Sequence, residues 1–118
     1  MSPINSRDKG ARAEREAADL LWMHLGVKPY RLRTPGEDAD RGDLGGVPNT
    51  TIEVKNRDSL TSSLAGLEQC ERAQERNGHD FGATLIRRPG GRWFVALTPA
   101  QFAALWRLAS GLRRDGAA

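Results

Sequence analysis

One cysteine, Cys70, stands among the 118 residues, which excludes an internal disulfide and any multi-cysteine zinc site and fits a reducing environment. Its place on a helical apolar face marks it as a small core residue. Histidine occurs only at His24 and His79, with neither a cysteine nor another histidine at metal-ligand spacing, so surface or capping roles are expected for both. No run approaches the roughly 20 apolar residues of a membrane span, and Met1–Lys9 lacks the apolar core of a signal peptide. A cytoplasmic protein with no membrane attachment is expected. Lysine is scarce, at three residues against fifteen arginines, and the formal net charge is +3. That bias fits phosphate contact, since a guanidinium can hold a phosphate through two hydrogen bonds, and it equally fits GC-rich coding. Aromatics are 6% of the chain, yet Trp93, Phe94, Phe102 and Trp106 cluster in the last third, where they serve a core or build a dimer interface. The length suits one domain, expected over residues 1–112 with a frayed tail at 113–118.

Apolar residues at three-to-four spacing (Ala13, Ala17, Leu20, Leu21, Leu25) predict a helix over 8–25, ended by Gly26. A short strand is expected within 28–33, then a polar loop over 34–42, a brief strand near 43–47, and a β-branched strand over 50–56 that pairs with it as a hairpin. Leu60, Leu64, Leu67, Cys70 and Ala73 mark the expected buried face of a second helix that stops at Asn77-Gly78. Strands are expected over 81–87 and 92–97, joined by Pro89-Gly90-Gly91. Thr98-Pro99-Ala100-Gln101 has the residues of a capping box that opens a third helix, running to about Leu112. The order α-β-β-β-α-β-β-α predicts an α/β domain with a mixed central sheet flanked by helices.

Chemistry concentrates around Asp43 and Thr51-Ile52-Glu53-Val54-Lys55. Alternate side chains of a strand share a face, so Glu53 and Lys55 project together while Ile52 and Val54 turn to a core. Two carboxylates and an ammonium in that arrangement suit magnesium-assisted attack on a phosphodiester, with Asp43, Glu53 and the Val54 carbonyl as metal ligands. An amphipathic edge strand with its Glu/Lys pair in solvent fits the spacing equally. Lys55 suits an electrostatic role better than that of a base, because neighbouring carboxylates favour its charged form. On the first helix Glu14 shares a stripe with Gly10, Ala17 and Leu21. An inward carboxylate there needs a partner, for which a metal, its water or Lys55 would serve; the simpler reading is a surface glutamate paired with an arginine. Glu16 and Asp19 fit that simpler reading, and Asp38 and Asp40 read as solvated loop residues. Arg7, Lys9, Arg12 and Arg15 make the start of the first helix basic and suited to DNA phosphates, with Arg57 a further phosphate contact or a solvated charge.

The run Arg7-Asp8-Lys9-Gly10-Ala11-Arg12-Ala13-Glu14-Arg15, then Gly42-Asp43, then Ile52-Glu53-Val54-Lys55, resembles the PD-(D/E)XK nuclease superfamily. Within it the chain is most similar to archaeal-type Holliday junction resolvases and their phage and bacterial relatives. The resemblance implies a restriction-endonuclease-like fold and a Mg²⁺-dependent DNA endonuclease for which Mn²⁺ could substitute. It implies Asp43, Glu53 and Lys55 as catalytic, with Glu14 brought to the site by the Lys-Gly-x-x-x-Glu start of the first helix and available to the metal. Gln69 falls where related nucleases place a glutamine near the site, although an exposed helical glutamine reads as well. The proline that names the superfamily is replaced by Gly42. Paired nicks in a four-way junction imply a homodimer with two equivalent sites. The alternatives are the same chemistry on repair, restriction or flap substrates, and a noncatalytic nucleic-acid-binding module of the same fold.

Overall fold

In a computed structural model that describes residues 6–32 and 41–111, helix α1 spans Ser6–Leu25 and ends where Gly26 takes φ +76°. It is followed by β1 (Tyr30–Arg31), β2 (Leu44–Gly45), β3 (Thr50–Lys55), α2 (Leu60–Asn77), β4 (Phe81–Arg88), β5 (Arg92–Ala96) and α3 (Pro99–Ser110). The loop with Asp38 and Asp40, residue Leu112 and the tail 113–118 lie outside the described residues.

The strands form one mixed sheet in the order β1-β2-β3-β4-β5. Neighbours run antiparallel except β3 and β4, which are parallel with Glu53 opposite Thr84 and Lys55 opposite Ile86. A parallel pair needs a crossover of a dozen or more residues, and α2 supplies it. Helix α2 is closed at both ends by its own sequence. The Ser59 side chain accepts from the Ser62 N–H, and Gly78 in the left-handed conformation donates to the Gln74 and Glu75 carbonyls. At α3 the expected capping box is formed between Thr98 and Gln101.

The alternation of β3 sorts the helices onto two faces. Ile52 and Val54 join Leu44 and Leu85 in a core closed by Ala13, Ala17 and Ala18 of α1. Small alanines let α1 sit close to the sheet. Thr51, Glu53 and Lys55 point to the other face, which α2 covers. There the expected helix face holds at Cys70 and Ala73 but shifts in its first half, where Ser63 and Gly66 are buried and Leu60 and Leu64 are about half exposed, at 50% and 45%. The cause is the sheet surface beneath. A helix lying over a buried carboxylate and a lysine stem must approach with small side chains, and leucines at those positions would hold it away.

Helix α3 packs beside α2 through Gln101, whose Nε2 donates to Gln74 Oε1 at 3.1 Å and to Cys70 Sγ at 3.5 Å. Its larger apolar residues turn outward, with Phe102 57%, Leu105 48%, Trp106 50% and Leu108 63% exposed. Phe94 and Val95 of the edge strand β5 are likewise exposed. Trp93 instead packs against the α1-side core and donates its indole N–H to Glu16 at 2.8 Å. Among the described residues no helix is long and apolar enough to cross a membrane.

Candidate active site

Asp43 is held from both sides, by β3 and by the residue that follows β1. Its N–H donates to the Ile52 carbonyl at 2.8 Å and its carbonyl accepts from Leu32 N–H at 3.0 Å. The next donor along β3, Val54 N–H, reaches the Asp43 carboxylate itself, at 2.8 Å to Oδ2. Gly42 explains why a side chain takes that place. Its φ is +99°, so a regular strand cannot continue back through it, and a Cβ there would sit 3.1 Å from the Ile52 carbonyl oxygen. Proline, locked near φ −65°, is incompatible with this conformation.

Glu53 lies beside Asp43 on β3 and is only 7% exposed. Burial, and then the charge of Asp43, pushes its carboxyl up to about 8, with Lys55 pulling in the opposite direction. Two carboxylates packed together without a full counter-charge form a strained pair that a cation would relieve. Lys55 follows on the same face and crosses the middle of α2 at Gly66. A Cβ at Gly66 would lie 2.8 Å from Lys55 Cγ and 3.1 Å from Thr84 Cγ2. This glycine was not singled out from the sequence, although an isolated glycine inside a helical pattern is itself a sign of a packing requirement.

Glu14 faces the same place from α1. Its hydrogen-bond partner is Arg31 of β1, whose Nε donates to Oε2 at 2.8 Å. Burial raises the Glu14 carboxyl above its ordinary range, the Arg31 hydrogen bond opposes this, and Asp43 adds to the rise. Nothing local in the sequence marks Arg31, which meets Glu14 only because β1 lies at the sheet edge beneath α1.

Glu14, Asp43, Val54, Lys55, Lys9 and Arg57 line one cavity of about 350 Å³. Lys9 pairs with Asp58 at 3.3 Å, joining the start of α1 to the segment after β3. The remaining expected residues are elsewhere. Gln69 lies on the exposed side of α2, one residue from buried Cys70 and outside the cavity lining. The buried stripe of α2 runs through Ser63, Gly66, Cys70 and Ala73, and residue 69 falls outside it. Arg12 and Arg15 are exposed along α1 and, with Asp8 and Ala11, line a separate depression outside the cavity. Arg7 lies in the first turn of α1, and its side chain is outside the described residues. Cys70 is fully buried, and burial raises its thiol pKa, the opposite of what a nucleophile needs. His79 shares a hydrogen bond with Thr51 Oγ1 at 2.9 Å, toward the start of β3 and away from Lys55.

Among the described residues no three His, Cys, Asp or Glu side chains gather closely enough to hold a metal ion by themselves. The donors still fit a hard divalent cation. Asp43 and Glu53 supply two carboxylates, and the Val54 carbonyl leaves the same strand edge as the N–H bound to Asp43. Mg²⁺ is commonly held by one or two carboxylates, with water and phosphate completing its octahedron. No protein-family model, curated protein or solved structure matches this chain.

Proposed function

We propose that this chain is a Mg²⁺-dependent DNA endonuclease of the PD-(D/E)XK type with a restriction-endonuclease-like fold, acting as a homodimer on four-way junctions. The observation that carries the reading is that Asp43 and Lys55 line one cavity while Glu53 is buried beside Asp43, its carboxyl held above the ordinary range by burial and then by the charge of Asp43. A structural Glu/Lys pair on an edge strand needs no such arrangement, since solvent would satisfy both charges. Here β3 is an interior strand and the pair is roofed by α2.

Each group has a defined task. Asp43 and Glu53 hold the cation, for which Mn²⁺ would substitute, with the Val54 carbonyl as a further donor. When bound, the cation polarises the phosphate and lowers the pKa of a coordinated water. Lys55 stands beside these carboxylates and offsets charge on the phosphate as it is attacked. Glu14 faces the same cavity and orients water. Lys9 and Arg57, at the mouth, position DNA phosphates, with Arg12 and Arg15 extending the basic surface along α1. The exposed Phe94, Phe102, Leu105, Trp106 and Leu108 give the homodimer its apolar contact, and the dimer supplies two equivalent sites for paired cuts.

The test is cleavage of a synthetic four-way junction beside linear duplex and single strand, with Mg²⁺ or EDTA, by wild type and Asp43→Asn. Paired nicks at the junction that require both Mg²⁺ and Asp43 are expected. Equal cutting of every DNA would retain the nuclease site and remove the junction preference. No cleavage under Mg²⁺ or Mn²⁺ would leave a nucleic-acid-binding module.

A further inference from the structure

We infer that Arg31 is the positioning residue for Glu14, fixing the α1 carboxylate at the cavity from behind; the inference rests on the nuclease reading of that cavity. Three observations carry it. First, the contact is short and sheltered: Arg31 Nε to Glu14 Oε2 is 2.8 Å, with the two side chains 25% and 18% exposed. Second, Glu14 lines the cavity while Arg31 does not, so the guanidinium stands behind the carboxylate rather than in the space a DNA phosphate would enter. Third, the anchor is built into the sheet. Arg31 pairs with Leu44, and the residues next to them, Leu32 and Asp43, are joined by a 3.0 Å main-chain hydrogen bond. Arg31 therefore refers the position of Glu14 on a helix to the same strands that hold Asp43.

Among the described residues no other cation duplicates this contact. Lys9 is engaged with Asp58 at 3.3 Å, and Arg15 is exposed on α1. Without Arg31, Glu14 would face the like charge of Asp43 with no bonded partner and would turn toward solvent.

The experiment compares wild type, Arg31→Gln, Arg31→Lys, Glu14→Gln and the double variant Arg31→Gln/Glu14→Gln. Four quantities are read for each: Tm, Mn²⁺ affinity by calorimetry, and kcat and KM on junction DNA. Arg31→Gln is expected to lower kcat or Mn²⁺ affinity roughly 10- to 100-fold with KM unchanged, as loss of an outer-shell partner does. Arg31→Lys should recover part of the loss. Glu14→Gln should add little in the Arg31→Gln background, because the two residues act as one unit. Additive losses would overturn the proposal, as would a lower Tm with unchanged kcat and Mn²⁺ affinity. A raised KM with a shallower salt dependence would also overturn it and make Arg31 a phosphate contact. If wild type binds Mn²⁺ but cuts no DNA, the nuclease reading fails, while the Mn²⁺ affinities of the variants still decide the role of Arg31. A wild type that binds no Mn²⁺ overturns both.

Discussion

Glu53→Gln should stabilise the cation-free protein at pH 8 while destroying its response to Mg²⁺. The carboxyl of Glu53 is raised from an ordinary 4.5 to about 8, so the folded chain holds a proton that the unfolded chain has released across that window. The native state then binds more protons than the unfolded state, and stability falls as pH climbs from about 4.5 to about 8. At roughly 1.4 kcal/mol per pH unit the full effect is on the order of 3–5 kcal/mol, and it belongs to the Asp43–Glu53 pair as a whole. Glu14, also raised, acts in the same direction, whereas Glu16, lowered by its bonds to Trp93 and Arg87, loses its contribution only at more acid pH. Thermal melts in EDTA should therefore show Tm falling between pH 5.5 and 8.5, by on the order of 10 °C. Mg²⁺ should raise Tm more at pH 8.5 than at pH 5.5, since a ligand of the native state adds stability by mass action. Glu53→Gln, neutral at every pH, should flatten the slope and remove the Mg²⁺ effect. A cation-free Tm that stays level or rises with pH, or a Glu53→Gln protein that melts lower than wild type at pH 8, would refute the reasoning.

Two further outcomes are expected. Gly66→Ala places a methyl 2.8 Å from Lys55 Cγ. The strain, about 1–3 kcal/mol, outweighs the ~1 kcal/mol that alanine adds to a helix, so both Tm and the cleavage rate should drop while DNA affinity is retained; a more stable, fully active variant would show that the path of Lys55 does not depend on this glycine. Phe102→Glu/Trp106→Glu should convert a dimer to a monomer in analytical ultracentrifugation without altering the Asp43–Glu53 pair, and a wild type already monomeric at tens of micromolar would remove the dimer from the proposal.

Local chemistry was legible wherever a residue's role depends on its own neighbours in the chain. Gly26 and Gly78 stop helices because they accept positive φ, Thr98 and Gln101 cap α3 reciprocally, and the alternation of Thr50–Lys55 places Ile52 and Val54 opposite Glu53 and Lys55. The same alternation brought Glu53 and Lys55 forward together, and the preceding Gly-rich segment added Asp43. Periodicity identifies the faces of an element but not what each will meet. Leu60 and Leu64 mark an apolar stripe on α2, yet the tertiary structure buries Ser63, Gly66, Cys70 and Ala73, because only small residues fit over a sheet face carrying a buried glutamate and a lysine stem. Gln69 falls outside that buried stripe. The pairing of Glu14 with Arg31 spans 17 residues and exists only because α1 crosses the edge of the sheet. Phe102 and Trp106 read first as core in one dimension, and packing left them half exposed. What the amino-acid sequence determined by itself was therefore the set of elements and the strand with Glu53 and Lys55 on one face, through backbone preference and side-chain alternation. The roof over that strand, the partner of its third carboxylate and the outward apolar face were decided by the tertiary structure, since each depends on the distance between elements remote in the chain.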